Sequence, residues 1–247
     1  MFYENLKNNT VVVTGGAGGI GVELIALLRR AEADMLIIDP HAERLQQLEQ
    51  DLSGYGGKTV FVVSKLDSVA ECRDALSKAP SELIALVHLA GVFDPDPDNI
   101  DDTSNWDSAI ANNLTNAKDM CLLFAEASQN SPITRKIVLI SSLAANRGSF
   151  DHYSYSAAKA GLIGLTRAFS RRFAPDILVN AVAPGIILTR MPAHLLENRA
   201  DKMKAEVPLQ RFGQPSEVAS VLLFLIGDGS SYVTGQLINI DGGAIHS

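Results

Sequence analysis

The stretch Thr10-Val-Val-Val-Thr14-Gly-Gly-Ala-Gly-Gly-Ile-Gly21 decides the fold. Val11, Val12 and Val13 are apolar in succession rather than in alternation, as in a strand covered on both faces. Glycines follow, and then Ile20, Leu24, Leu27 and Leu28 recur at helical spacing along one face. Strand, glycine turn and helix in direct succession set a helix N-terminus at the end of the strand. Its free N–H groups and partial positive charge suit a pyrophosphate. A glycine-rich turn alone is weak evidence; its position between strand and helix strengthens it.

The same alternation runs through the chain. Strands are expected at Thr10–Thr14, Met35–Asp39, Thr59–Ser64, Ile84–His88, Lys136–Ser141, Leu178–Val182 and Gln236–Ile240. Amphipathic stretches separate them, including one from Tyr155 to Phe173 and one beginning near Trp106. Buried strands alternating with helices predict an α/β fold: a doubly wound, Rossmann-type parallel sheet flanked by helices. Ligands of such sheets bind outside the carboxyl ends of the strands. No proline- or serine-rich linker divides residues 1–247 and no repeat is present, so a single domain is expected.

Composition narrows the function classes. Apolar residues make up 47% and charged residues 20% of the 247-residue chain, a globular profile. No run reaches the roughly 18 apolar residues of a membrane helix, and the first ten residues do not read as a signal peptide. Cys72 and Cys121 are too few for a disulfide framework and fit a reducing cytoplasm. The formal charge of −7 argues against nucleic acid as the partner.

Asp39 ends the second strand, 18 residues after Gly21. That is close to the roughly 20 expected for a carboxylate that accepts hydrogen bonds from the adenosine ribose. No arginine follows it immediately and Gly18 offers no cation, so the site reads as one for NAD rather than NADP. Tyr155 and Lys159 are four residues apart and share a helix face. An ammonium beside a phenol favours the phenolate and lowers its pKa, which makes a proton shuttle for alcohol oxidation or ketone reduction. Tyr153 has Ala157 at the matching offset and does not qualify. Ser142, just past the fifth strand, has a hydroxyl suited to holding a substrate oxygen. Asp94-Pro-Asp-Pro-Asp98 imitates the start of a calcium loop. It lacks the glycine and the final acidic ligand such a loop needs, and no metal site is assigned. It is read instead as a solvated loop leading into a helix that Ser104 and Asp107 cap.

Taken in order, these motifs resemble a short-chain dehydrogenase/reductase of the single-domain branch about 250 residues long. The likeness runs from Val11 to Gly243. It includes the glycine turn, Asp67 after the third strand, Ala90-Gly91 after the fourth and Asn113. Ser142, Tyr155-Ser-Ala-Ala-Lys159, and Asn180-Ala-Val-Ala-Pro-Gly185 with Thr189 complete it. The resemblance implies that Tyr155 is the acid/base and that Lys159 holds the nicotinamide ribose and depresses the tyrosine pKa. It implies that Ser142 polarises the carbonyl and that Asn113, rather than Asn112, anchors a relay water. Cofactor contacts are implied for Gly15, Gly19, Ile20, Gly21, Asp39, Asp67, Ala90, Gly91, Tyr155, Lys159, Gly185, Ile187 and Thr189.

Two departures stand out. His88-Leu89 replaces the family's common Asn-Asn, and His88 is read as a buried strand histidine. The spacing of Gly15, Gly18 and Gly21 also fits the longer, sugar-modifying branch, whereas chain length and Pro184-Gly185 favour the shorter one. Residues 188–212 are expected to form a lid, with Met191, Pro192, Leu195, Leu196 and Met203 as its apolar cover and Glu197, Arg199 and Lys202 outside. The expected partner is a small alcohol or ketone, with no membrane or nucleic acid. The helix Tyr155–Phe173 and the last strand resemble subunit interfaces, which implies a homotetramer, with a dimer second. The alternatives are a 3-oxoacyl-[acyl-carrier-protein] reductase, with Arg167, Arg171 and Arg172 facing the carrier, and a redox-silent NAD(H)-binding sensor.

Overall fold

Thr10–Thr14 forms β1, and all five of its residues are buried. The computed structural model describes residues 3–52, 54, 57–128, 132–189 and 200–245. From β1 the chain passes to α1 (Gly19–Arg30), β2 (Asp34–Asp39), α2 (Ala42–Asp51), β3 (Thr59–Val63) and α3 (Val69–Leu76). It continues through β4 (Leu83–His88), α4 (Ser104–Ile110), a π turn (Ala111–Thr115), α5 (Asn116–Ala127) and β5 (Arg135–Ile140). Then come α6 (Ala144–Arg147), α7 (Tyr153–Arg172), β6 (Ile177–Pro184), α8 (Ala200–Ala205), α9 (Pro215–Ile226) and β7 (Leu237–Ile240). The seven strands form one sheet in the order β3-β2-β1-β4-β5-β6-β7. Every neighbouring pair is parallel.

Successive residues of a strand point to opposite faces, and both faces here are apolar. Val11 and Val13 join Met35 and Ile37 beneath Leu24 and Leu28 of α1, Leu45 and Leu48 of α2, and Val218 and Leu222 of α9. Val12, Leu36 and Ile38 turn the other way. They meet Cys72 and Leu76 of α3, Met120 and Phe124 of α5, and Leu162 and Phe169 of α7. One layer of helices on each face is the doubly wound, single-domain architecture that unalternated strands require.

The differences from the sequence reading are local. β6 runs two residues past the expected Val182, because Ala183 and Pro184 pair with Asn239 and Ile240. The N-cap residue of α4 is Thr103 rather than Ser104; it makes no side-chain bond to a helix N–H, and its hydroxyl donates to the Asp107 carboxylate at 3.0 Å. The helix expected from Trp106 onward is interrupted by the π turn, in which Asn116 N–H donates to Ala111 O. Finally, α7 starts at Tyr153, two residues earlier than expected.

Candidate active site

The predicted positions lie along the carboxyl edge of the sheet. Asp67 follows β3, Asp39 ends β2, Gly15 follows β1, Ala90 and Gly91 follow β4, Ser142 follows β5 and Gly185 follows β6. A cleft of about 660 Å³ opens there. Its walls include Ile20, Gly91, Asn113, Ser142, Tyr155, Lys159, Gly185, Ile187 and Thr189. Gly15, Gly19, Gly21, Asp39, Asp67 and Ala90 lie outside that lining. Asp67 is exposed, its N–H donating to Glu71 at 3.3 Å.

The glycine turn is held close to β4. Gly15 has φ +64°, and a Cβ on it would meet Ala90 N at 2.8 Å. Thr14 Oγ1 accepts from Ala90 N–H at 3.2 Å and lies 3.0 Å from His88 Nδ1. His88 therefore ties β4 to the start of the turn. Burial pushes its pKa down to about 3; the nearby Lys159 charge adds to this and the Asn116 amide opposes it. Asp39 is buried and engaged locally. One carboxylate oxygen accepts from Ala17 N–H at 3.1 Å, and the other from His41 N–H at 3.0 Å. The His41 ring nitrogen Nδ1 also lies 3.0 Å from that second oxygen.

Asn113 is fully buried and its side chain is spent on the backbone. Nδ2 donates to Val92 O at 3.1 Å and to Ala109 O at 3.0 Å, while Oδ1 accepts from Val92 N–H at 3.2 Å. Asn112, one residue earlier, turns back to Ser108 O at 2.9 Å. Lys159 is buried with its Nζ donating to Ile140 O at 3.0 Å, and Ser141 Oγ donates to Lys159 O at 2.9 Å. These bonds pin α7 to the end of β5. Lys159 Nζ stands 5.5 Å from the centroid of the Tyr155 ring.

The electrostatics correct one expectation. Burial raises the Tyr155 phenol above its ordinary value, and only the hydrogen bond with Ser142 works the other way. Lys159 is itself pushed down to about 7 by burial. Desolvation penalises whichever form is charged, so the ammonium and the phenolate both lose to it. The ammonium expected to lower the phenol pKa is directed at a carbonyl instead, and the protein alone holds the tyrosine protonated.

Among the residues of the cleft wall that sequence reasoning missed are Phe93, Arg147 and His152. Phe93 and His152 stack with centroids 3.9 Å apart, and Phe93 meets Tyr155 edge-on at 4.8 Å. Arg147 Nη1 reaches Glu206 at 3.2 Å, joining the end of α6 to the segment after α8. Their nearness in sequence to Gly91 and Tyr155 was the available signal. Of the expected lid, Leu188 and Met203 line the cleft, whereas Met191, Pro192, Leu195, Leu196, Glu197 and Arg199 fall outside the described residues. Asp96, read as solvated, instead accepts hydrogen bonds from Ser154 of α7.

A family model described as enoyl-(acyl carrier protein) reductase matches residues 15–245. The chain is 34% identical to the 3-oxoacyl-[acyl-carrier-protein] reductase FabG of Thermotoga maritima, covering 97% of this chain and 99% of that one. To the protein of the same name from Chlamydia trachomatis it is 35% identical, over 96% and 98%. Among solved structures, the short-chain dehydrogenase/reductase SDR:glucose/ribitol dehydrogenase from Brucella melitensis superposes with a TM-score of 0.91 at 31% identity, over 100% of both chains. Motif order, strand order and these likenesses agree: the chain belongs to the short-chain dehydrogenase/reductase family of oxidoreductases.

Proposed function

We propose that this protein is an NAD(H)-dependent oxidoreductase that interconverts a secondary alcohol and a ketone, with Tyr155 as acid/base. The observation that carries this reading is the convergence of Ser142, Tyr155, Lys159 and Asn113 on one cleft beside the glycine turn. The residues fit a dinucleotide. Gly15 brings backbone close to β4, α1 offers its N-terminus, and the Asp39 carboxylate has acceptor capacity left for ribose hydroxyls. When bound, that cofactor supplies or accepts the hydride.

The protein's own residues handle the proton. In ketone reduction, Ser142 donates a hydrogen bond to the substrate oxygen and Tyr155, kept protonated by burial, gives its proton to that oxygen. In alcohol oxidation the phenolate must form first and takes the proton back. Lys159 Nζ lies over the face of the Tyr155 ring, 5.5 Å from its centroid, where its charge, when present, favours that phenolate. Both Asn113 Nδ2 hydrogens are committed to backbone carbonyls, so the side chain supports a relay by fixing the backbone around it. Leu188, Met203 and Phe93 give the cleft an apolar wall for the rest of the substrate.

The names of the relatives favour a second reading, reduction of a 3-oxoacyl thioester. It is the same chemistry on a ketone, but Asp39 disfavours the 2′-phosphate of NADPH. Following cofactor absorbance with simple ketones, secondary alcohols and a 3-oxoacyl pantetheine thioester, with both cofactors, separates the two. The proposal requires a fall in kcat of about 100-fold or more in Tyr155→Phe with cofactor binding retained. Equal, nonzero rates in the two proteins overturn it.

A further inference from the structure

The helix bearing Tyr155 and Lys159 receives no side-chain cap from its own N-cap residue, His152. The cap comes from elsewhere in the chain. Ser154 N–H donates to Asp96 Oδ2 at 3.0 Å, and the Ser154 hydroxyl donates to Asp96 Oδ1. Asp96 lies 58 residues earlier, in the segment between β4 and α4. Its own N–H donates to Asp151 O at 2.8 Å, so it grips both the approach to α7 and the first turn. The segment is itself fastened at several points. Pro95 and Pro97 fix φ on either side of Asp96. The Asn105 side chain of α4 donates to Pro95 O. Phe93, three residues before Asp96, stacks on His152 and meets the Tyr155 ring.

From this we infer that Asp96 is a positioning residue for Tyr155. By capping α7 across the fold, it fixes the turn that aims the phenol, and it locks that turn to the Phe93 side of the cleft. Tyr155 is the third residue of α7, directly after the gripped Ser154. A carboxylate is favoured at a helix N-terminus, and a small misplacement of a proton donor is costly to rate. The alternating acids and prolines of Asp94–Asp98 thus have a use that a calcium loop or a solvated linker does not explain.

The inference rests on the proposed role of Tyr155, and its test has a readout independent of turnover. Hydrogen exchange at the Ser154 and Tyr155 amides, NADH affinity by fluorescence, and steady-state kinetics are measured for wild type, Asp96→Ala, Asp96→Asn and, as a control, Asp98→Ala. Asp96→Ala is expected to speed exchange at both amides and lower kcat about tenfold, with the KM and affinity for NADH unchanged. Asp96→Asn, which keeps an acceptor for the Ser154 amide, recovers most of the rate, and Asp98→Ala matches wild type. If the alanine variant does not fold, Ser154→Ala replaces it; removing one of the two bonds gives a smaller loss in the same direction. Wild-type exchange or wild-type kcat in Asp96→Ala overturns the inference. A wild type inactive on every substrate overturns the proposed function instead, and Asp96 is then judged on exchange alone.

Discussion

Thr14 Oγ1 and His88 Nδ1 lie 3.0 Å apart where β1 and β4 end side by side. The same hydroxyl accepts from Ala90 N–H, so one threonine and one histidine hold the glycine turn against the backbone that borders the cleft. Burial favours the neutral ring. The consequence is a pH dependence of stability.

At pH above His88's ordinary value of 6.5 the ring is neutral in both folded and unfolded chains. As pH falls from 6.5 toward the folded value of about 3, only the unfolded chain takes up the proton. Folding stability therefore declines through that window, by on the order of a few kcal/mol from this one residue. Urea unfolding at pH 7, 5 and 4 is expected to show a steeper loss in wild type than in His88→Asn. Parallel losses in the two proteins would contradict the assignment.

Burial keeps the Tyr155 proton on, and oxidation needs it off. The rate of the chemical step in alcohol oxidation is therefore expected to climb about tenfold per pH unit until the phenol ionises, then level. Reduction is expected to hold steady over the same range and fall only at the alkaline end. Primary isotope effects with deuterated alcohol identify the step. An oxidation profile flat with pH would rule out Tyr155 as the base.

The Asp39 carboxylate sets the preference at the ribose. NADH is expected to bind at least about tenfold tighter than NADPH, a difference of about 1.4 kcal/mol. In Asp39→Ala that gap closes, since the buried negative charge facing a 2′-phosphate is gone. Quenching titrations with the two cofactors measure it, and equal affinities in wild type would refute the assignment of NAD.

Gly91 has no room for a side chain. A Cβ there would collide with Asn113 Oδ1 and stand 3.3 Å from Lys159 Nζ. Gly91→Ala is expected to lower kcat by about 10- to 100-fold while the protein remains folded, because the displaced groups belong to the cleft rather than to either apolar layer. Wild-type kcat in this variant would show that neither group needs its present position.

Much of this was legible beforehand because periodicity and spacing act locally. Seven apolar runs gave seven strands, and the Tyr155–Lys159 offset gave a shared helix face without any tertiary information. What escaped was set by contacts between distant segments. The Asp96–Ser154 bond depends on a loop folding back over α7. The neutrality of His88 and the raised Tyr155 pKa depend on how completely their surroundings exclude water. The Arg147–Glu206 pair joins parts of the chain 59 residues apart. None of these leaves a period or a motif behind.

The break between α4 and α5 carries a consequence for anyone who shortens this chain. A helix advances about 100° per residue. Deleting a single residue within 111–115 would let one uninterrupted spiral run from Ser104 to Ala127, with a more regular ladder of bonds. The same deletion would rotate everything on one side of the cut by that angle and carry Asn113 away from Val92. A sturdier rod and a working cleft are thus competing outcomes of one inserted position, and the present sequence takes the second.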